Sequence, residues 1–111
     1  EHVVRAISRA LRLSRPPTAI VATRSRHALS LISWMAQQNL NIPRDLSLVT
    51  LASEPWYENL IQEPTHYFSD PRNFARTVLR RILPIADGKT SAATNKLLIP
   101  EYVAGNTVSS I

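Results

Sequence analysis

Thr18-Ala19-Ile20-Val21-Ala22 and Leu46-Ser47-Leu48-Val49-Thr50-Leu51 are two short, largely apolar runs, and the fold turns on how they are read. Runs of this length that lack a helical period suit strands buried on both faces of a sheet. Between them lies an amphipathic helix. Ser25 is its expected N-cap, Ala28, Leu29, Leu31, Ile32 and Met35 form its apolar stripe, and Asn39 is its stop. Residues 2 to 13 predict another helix, with Val3, Val4, Ile7, Ala10 and Leu11 on one face and Arg5, Arg9 and Arg12 on the other. Ser14-Arg15-Pro16-Pro17 ends it, because proline donates no amide and disfavours helix in the residue before it. Helix, strand, helix, strand is the rhythm of an α/β chain. It predicts a three-layer parallel sheet with flanking helices.

Downstream, Asn41-Ile42-Pro43-Arg44-Asp45 is a turn, and the period is lost from Ala52 to Glu63, where a loop with one helical turn is expected. Thr65 to Ser69 is a weaker third strand. Asp70-Pro71 opens a helix, with Asp as cap and Pro at the first helical position. Phe74, Val78, Leu79, Ile82 and Leu83 share one face of that helix, and Arg72, Arg76 and Arg80 another. Pro84 should kink or end it, and Asp87-Gly88 closes it. After a polar loop over 89–95, Lys96 to Ile99 predicts a short strand and Tyr102-Val103 a last one.

With 111 residues the chain suffices for one domain, and 44% hydrophobic with 19% charged residues is ordinary for a globular protein. The chain opens at Glu1 inside a helix, as expected of a piece of something longer. No apolar run reaches the roughly 18 residues of a membrane span. Cysteine is absent, which removes disulfides and thiolate metal sites. The net charge of +5 raises nucleic acid, but eleven of the thirteen basic residues are arginines spread over the whole length, without a clustered patch.

Catalytic constellations are missing. His2, His27 and His66 form no HExxH pair, no GxSxG elbow marks a nucleophile, and Gly88 and Gly105 alone cannot build a phosphate-cradling loop. Asp45, Glu54, Glu58, Glu63 and Asp70 fall in separate turns. No catalytic residue, metal site or cofactor is expected.

Three stretches, in order and in register, resemble the C-terminal part of the lactose/galactose repressor (LacI/GalR) family. Pro17-Thr18-Ala19-Ile20-Val21-Ala22 with Ala28-Leu29 is similar to the family's P-T-A strand and following helix. Asn39-Leu40-Asn41-Ile42-Pro43-Arg44-Asp45-Leu46-Ser47-Leu48-Val49 looks like its G-(L/I)-x-(V/I)-P-x-D-(I/V)-S-(V/I)-(V/I) segment. Pro64-Thr65-His66 through Phe74-Ala75, with the ending Leu98 to Val108, resembles its L-T-T-V-x-Q and closing P-x-L-V-x-R strings. The resemblance implies a two-lobed periplasmic-binding-protein-like fold that holds a small effector, often a sugar or purine, between its lobes. It divides the chain into a lobe segment over 1–64, a crossover strand, helix and strand of the other lobe over 65–99, and a return segment over 100–111. It also implies a cytoplasmic bacterial transcription regulator, a homodimer that touches DNA only through an N-terminal helix-turn-helix this chain does not contain.

Departures from the family pattern are informative. The family's Asn/Ser-Asp pair falls on Arg24-Ser25, its Asp-Asp on Ala52-Ser53, its Gln on Ser69, a Gly on Ala75 and its late Arg on Gly105. The first carboxylate of the Asp-Asp accepts effector hydroxyls in relatives, and Ala52 cannot. Arg24 should stand at the C-terminal end of the first strand, where open α/β sheets bind ligands, and a guanidinium suits a carboxylate or phosphate. Its plainer role is an exposed loop arginine paired with Glu54. Arg24, Ser25, Ser53 and Ser69 are therefore the candidate ligand residues, for a sugar-like or anionic effector. Leu29 and Leu60 are dimer-interface candidates by family position, and Trp34 is either a core residue or part of that interface. Trp56 and Tyr57 either pack the loop or stack on a ligand ring. Two other classes remain open: a transport-type periplasmic sugar-binding protein of the same fold, and a basic nucleic-acid-binding module.

Overall fold

A computed structural model describes residues 2–89 and 95–110. In chain order the elements are α1 (His2–Ala10), β1 (Ala19–Ala22), α2 (Ser25–Gln37), β2 (Ser47–Thr50), a 3-10 turn (Tyr57–Asn59), β3 (Thr65–Phe68), α3 (Pro71–Ala86) and β4 (Glu101–Val103). The strands form one sheet in the order β1-β2-β3-β4. β1 and β2 pair in parallel with Ala19 opposite Ser47 and Ala22 opposite Thr50, and β2 pairs in parallel with β3, placing Thr50 opposite His66. β4 runs antiparallel to β3, so the sheet is mixed at that edge rather than wholly parallel.

One core joins the two predicted strands to the two leading helices. Ile7, Ala28, Leu31 and Met35 from the helices meet Ala22 and Leu48 from the sheet, with Ile42 and Leu46 closing the lower end. Leu31, Met35 and Leu48 are almost wholly enclosed. Cutting any of them to alanine would cost about 2–5 kcal/mol. The Asn41–Asp45 turn feeds β2 through paired bonds. The Asn41 amide donates to Asp45 Oδ2 at 2.7 Å, and the Asp45 amide donates to the Asn41 carbonyl at 2.8 Å.

Several expectations are corrected. β1 is not covered on both faces: it is an edge strand, Ala19 is exposed, and Val21 is 60% exposed. α1 and α2 cover the Ala22 face, and no described element packs on the face that carries Ala19 and Val21. α1 stops at Ala10 rather than residue 13, its last turn tightening through Arg12 N–H to Arg9 C=O at 3.2 Å before the prolines. The cap of α2 is Arg24, not Ser25: Arg24 has the extended backbone of a cap, and Ser25 already starts the helix. Asn39 does stop α2, adopting φ of 57°. Asp70 caps α3 as expected, accepting from the Arg72 amide at 2.9 Å, but Pro84 sits inside the helix, which runs on to Ala86. Residues 96–99 form no strand; Leu97 and Ile99 stand 83% exposed. The predicted loop over 89–95 lies largely outside the described residues.

α3 packs on none of the other described elements. Phe74, Leu79, Ile82 and Leu83 are more than half exposed, so the apolar face read from the sequence exists but has nothing against it among the described residues. The molecule is accordingly long, 59 × 29 × 28 Å, with a radius of gyration of 18.7 Å. A compact domain of this length would have about 13 Å.

The return segment binds the sheet through one side chain. Thr107 is fully buried in the lane of β3, one step before β3 begins. Its backbone carbonyl accepts from the Leu48 amide at 2.8 Å, and its hydroxyl donates to the Leu48 carbonyl at 2.6 Å while accepting from the Thr65 amide at 2.8 Å. Thr107→Val keeps the shape and orphans a buried amide and carbonyl, each worth about 1–3 kcal/mol. In chemical denaturation this variant is expected to lose about 2 kcal/mol or more; an unchanged midpoint would contradict the role given to the hydroxyl.

Candidate functional site

Ala22, Thr50 and His66 form one row across β1, β2 and β3. The three strands run in parallel, so their C-terminal ends leave the sheet along a common edge, with neighbouring lanes about 4.8 Å apart. Arg24 lies two residues beyond that row, and Ser53 and Ser69 three beyond it. The structure thus brings Arg24, Ser25, Ser53 and Ser69 to one side of the sheet, as the sequence suggested. Ser25 and Ser53 are half-buried, while Arg24 and Ser69 are exposed.

Arg24 has a second property that the sequence did not reveal. As the N-cap of α2 it makes no side-chain cap bond, and the first turn of α2 holds no acidic residue. The first turn of α2 therefore starts at the residue that carries the guanidinium without a side-chain cap, while the His27 amide donates to the Arg24 carbonyl at 3.0 Å. The helix N-terminus and the guanidinium both carry positive potential, a combination suited to an anion. The alternative role for Arg24, pairing with Glu54, is not realised: among the described residues neither side chain takes part in an ion pair. Asp70, at the end of the β3 lane, is already committed to capping α3.

The loop after β2 is pinned by aromatics. Tyr57 is 2% exposed; its ring stands edge-on to Trp56 at 4.9 Å and to His66 at 5.2 Å. His66 is fixed by its Nδ1–H donating to the Pro64 carbonyl at 2.8 Å, the only role open to a nitrogen facing a carbonyl. Tyr57 thus packs the loop, while Trp56 stays 37% exposed. The Tyr57 hydroxyl is buried without a hydrogen-bond partner among the described residues. Burial holds this phenol above its ordinary pKa and the Glu54 carboxylate adds to that. The nearby Thr50 hydroxyl opposes it without reaching hydrogen-bonding geometry, being engaged with the Ala52 backbone.

The interface candidates divide. Leu29, 45% exposed, and Leu60 line one open apolar groove of about 500 Å³ with Ile32, Ala36 and the 96% exposed Ile61. Trp34 does not join them. It is half-buried over the core and lines a different groove, between α1 and α2, with Arg5, Ser8, Ser33 and Gln37. Among the described residues no three His, Asp or Glu side chains gather as a metal site, and no helix is long and apolar enough to cross a membrane.

Gly105 and Glu54 were noted in the sequence but not among the candidate ligand residues. At Gly105, where the resemblance places an arginine, a methyl group would overlap Glu63 O and stand 2.8 Å from the Thr65 amide nitrogen, so no side chain fits. Glu54 directly follows Ala52-Ser53, and that adjacency was the signal available.

In open α/β sheets the C-terminal edge of the parallel strands is where ligands are generally held, and the candidate residues stand at that edge here. The chain belongs to the periplasmic binding protein-like domain family, whose profile matches residues 1–108. It is 34% identical over 85 residues to a Rhizobium rhizogenes protein assigned as an opine utilization operon repressor, covering 76% of this chain and 42% of that one. In fold it matches a LacI family transcriptional regulator from Bifidobacterium animalis (TM-score 0.84, 19% identity, 96% of this chain and 39% of that one). It also matches a lac repressor dimer bound to operator and an anti-inducer (TM-score 0.81, 21% identity, 98% and 36%). The chain therefore spans about two fifths of the relatives it matches.

Removing the orphan phenol oxygen tests the packing of the loop. Tyr57→Phe leaves the ring and discards an unsatisfied buried group, so stability should hold or rise by up to about 1 kcal/mol. A loss of more than that in urea denaturation would show that the hydroxyl has a partner.

Proposed function

We propose that this chain is the effector-binding and dimerisation segment of a bacterial DNA-binding transcription regulator of the LacI type. It holds a small anionic effector at the C-terminal edge of β1 and β2 and does no chemistry on it. Arg24 carries this reading: a guanidinium with no ion-pair partner among the described residues, beside helix amides with no side-chain cap, at the ligand edge of a parallel sheet. The relative assigned as an opine utilization operon repressor supports an acidic effector, because opines as a chemical class carry carboxylates.

In this reading residues 1–64 belong to one lobe, 65–99 cross into the other, and 100–111 return, the antiparallel β3–β4 pair making the two crossings side by side. The uncovered apolar face of α3 then lies against the second lobe, in chain beyond these residues. DNA contact belongs to a helix-turn-helix outside this chain, and the protein works in the cytoplasm. Leu29 and Leu60, joined in one groove, form part of a homodimer interface, which Trp34 flanks from another face.

The test is calorimetric titration of the full-length protein with carboxylated and neutral compounds, glucuronate against glucose and an opine against its neutral sugar component. Binding should be confined to the acids, and Arg24→Ala should weaken it about tenfold or more, the worth of a charge-assisted hydrogen bond. Tight binding of a neutral sugar that Arg24→Ala leaves unchanged would refute the proposal.

A further inference from the structure

We infer that the effector is a zwitterion, its carboxylate taken by Arg24 and its cationic nitrogen by Glu54. The inference rests on the reading of this edge as an effector site and narrows the class of compound it accepts.

Two charges stand at the edge. The segment 23–25 leaving β1 is Thr-Arg-Ser, and the segment 51–54 leaving β2 is Leu-Ala-Ser-Glu, so Arg24 and Glu54 are the only ionised side chains on either. Ala22 lies opposite Thr50, so the segments that carry Arg24 and Glu54 leave adjacent parallel strands at the same end of the sheet. Among the described residues neither Arg24 nor Glu54 has an ion-pair partner. Glu54 is also half-buried, so part of its hydration is already lost without compensation. A neutral polyol would call on hydroxyls such as Ser53 and Ser69 and would leave both charges unanswered. An acid with no amine would answer only one.

Three features hold Glu54 ready. Its carbonyl accepts the Tyr57 amide at 3.1 Å, Pro55 restricts its backbone, and the buried Tyr57 ring anchors the turn that follows. The phenol of Tyr57 is more than nine-tenths buried with no hydrogen-bond partner among the described residues, and burial, with the Glu54 charge as a smaller cause, raises its pKa. A carboxylate and a phenol oxygen can both accept from one N–H group, and a protonated amine supplies at least two.

The full-length protein is titrated calorimetrically with N-(1-carboxyethyl)glutamine and with its ether analogue, in which oxygen replaces the secondary amine. The amine should bind at least tenfold more tightly than the ether. Glu54→Gln should erase that preference by weakening the amine alone, with an unchanged melting temperature, whereas Arg24→Ala should weaken both acids. If the two compounds bind equally, or Glu54→Gln leaves the preference intact, while Arg24→Ala still weakens both, the zwitterion is wrong and the anionic site stands. If neither acid binds, or Arg24→Ala changes nothing, the anionic site falls and the zwitterion with it.

Discussion

The parallel register of β1, β2 and β3 is the constraint on which everything else in this molecule depends. A shift of one residue would turn Leu48 and Thr50 out of the core and move the ends of the lanes out of step. Two features hold the register. From one side, α1 and α2 press Ile7, Leu31 and Met35 against Ala22 and Leu48. At the lower end, the Thr107 hydroxyl ties Leu48 to Thr65 and so locks β2 to the start of β3. Sequence separation matters here: these bonds close loops of 59 and 42 residues, so the return segment fixes strands laid down much earlier in the chain.

The consequence at the upper edge is a set of groups brought together without any loop being long. Arg24 is there because it caps α2, and Glu54 because the turn after β2 is tied back through Tyr57. Neither position needs a glycine-rich loop or a bound metal. In the proposed reading the chemistry at this edge is recognition by charge. A regulator needs no more, since a ligand that fits one arrangement of two lobes better than another shifts their balance.

Much of this could be read from the residues alone where local chemistry decides. TAIVA and LSLVTL are strands, Asn39 ends α2 in the left-handed region, and Asp70 caps α3. Local rules failed where the answer lies in distant partners. Lys96 to Ile99 has a strand's composition, but the sheet beside β3 is already occupied by β4 and, lower down, by Thr107. Val21 reads as buried, yet no described element covers the sheet face it projects from. Ser25 is the better capping residue by type, but Arg24 keeps an extended backbone and Ser25 is already helical, so the cap falls at Arg24. The gathering of Arg24, Ser53 and Ser69 at one edge was legible because strand direction sets it; the lack of an ion-pair partner for Arg24 and Glu54 among the described residues was not, because it depends on side-chain placement.

The central claim is that a small acid binds where β1 and β2 end. Amide hydrogen exchange of the full-length protein, with and without a saturating carboxylate effector, measures this directly. Added protection is expected across residues 23–26 and 51–54, where the α2 amides and the Glu54 turn face the ligand. Protection confined to the α1–α2 groove or to the groove of Leu29 and Leu60, with none at the strand ends, would contradict it.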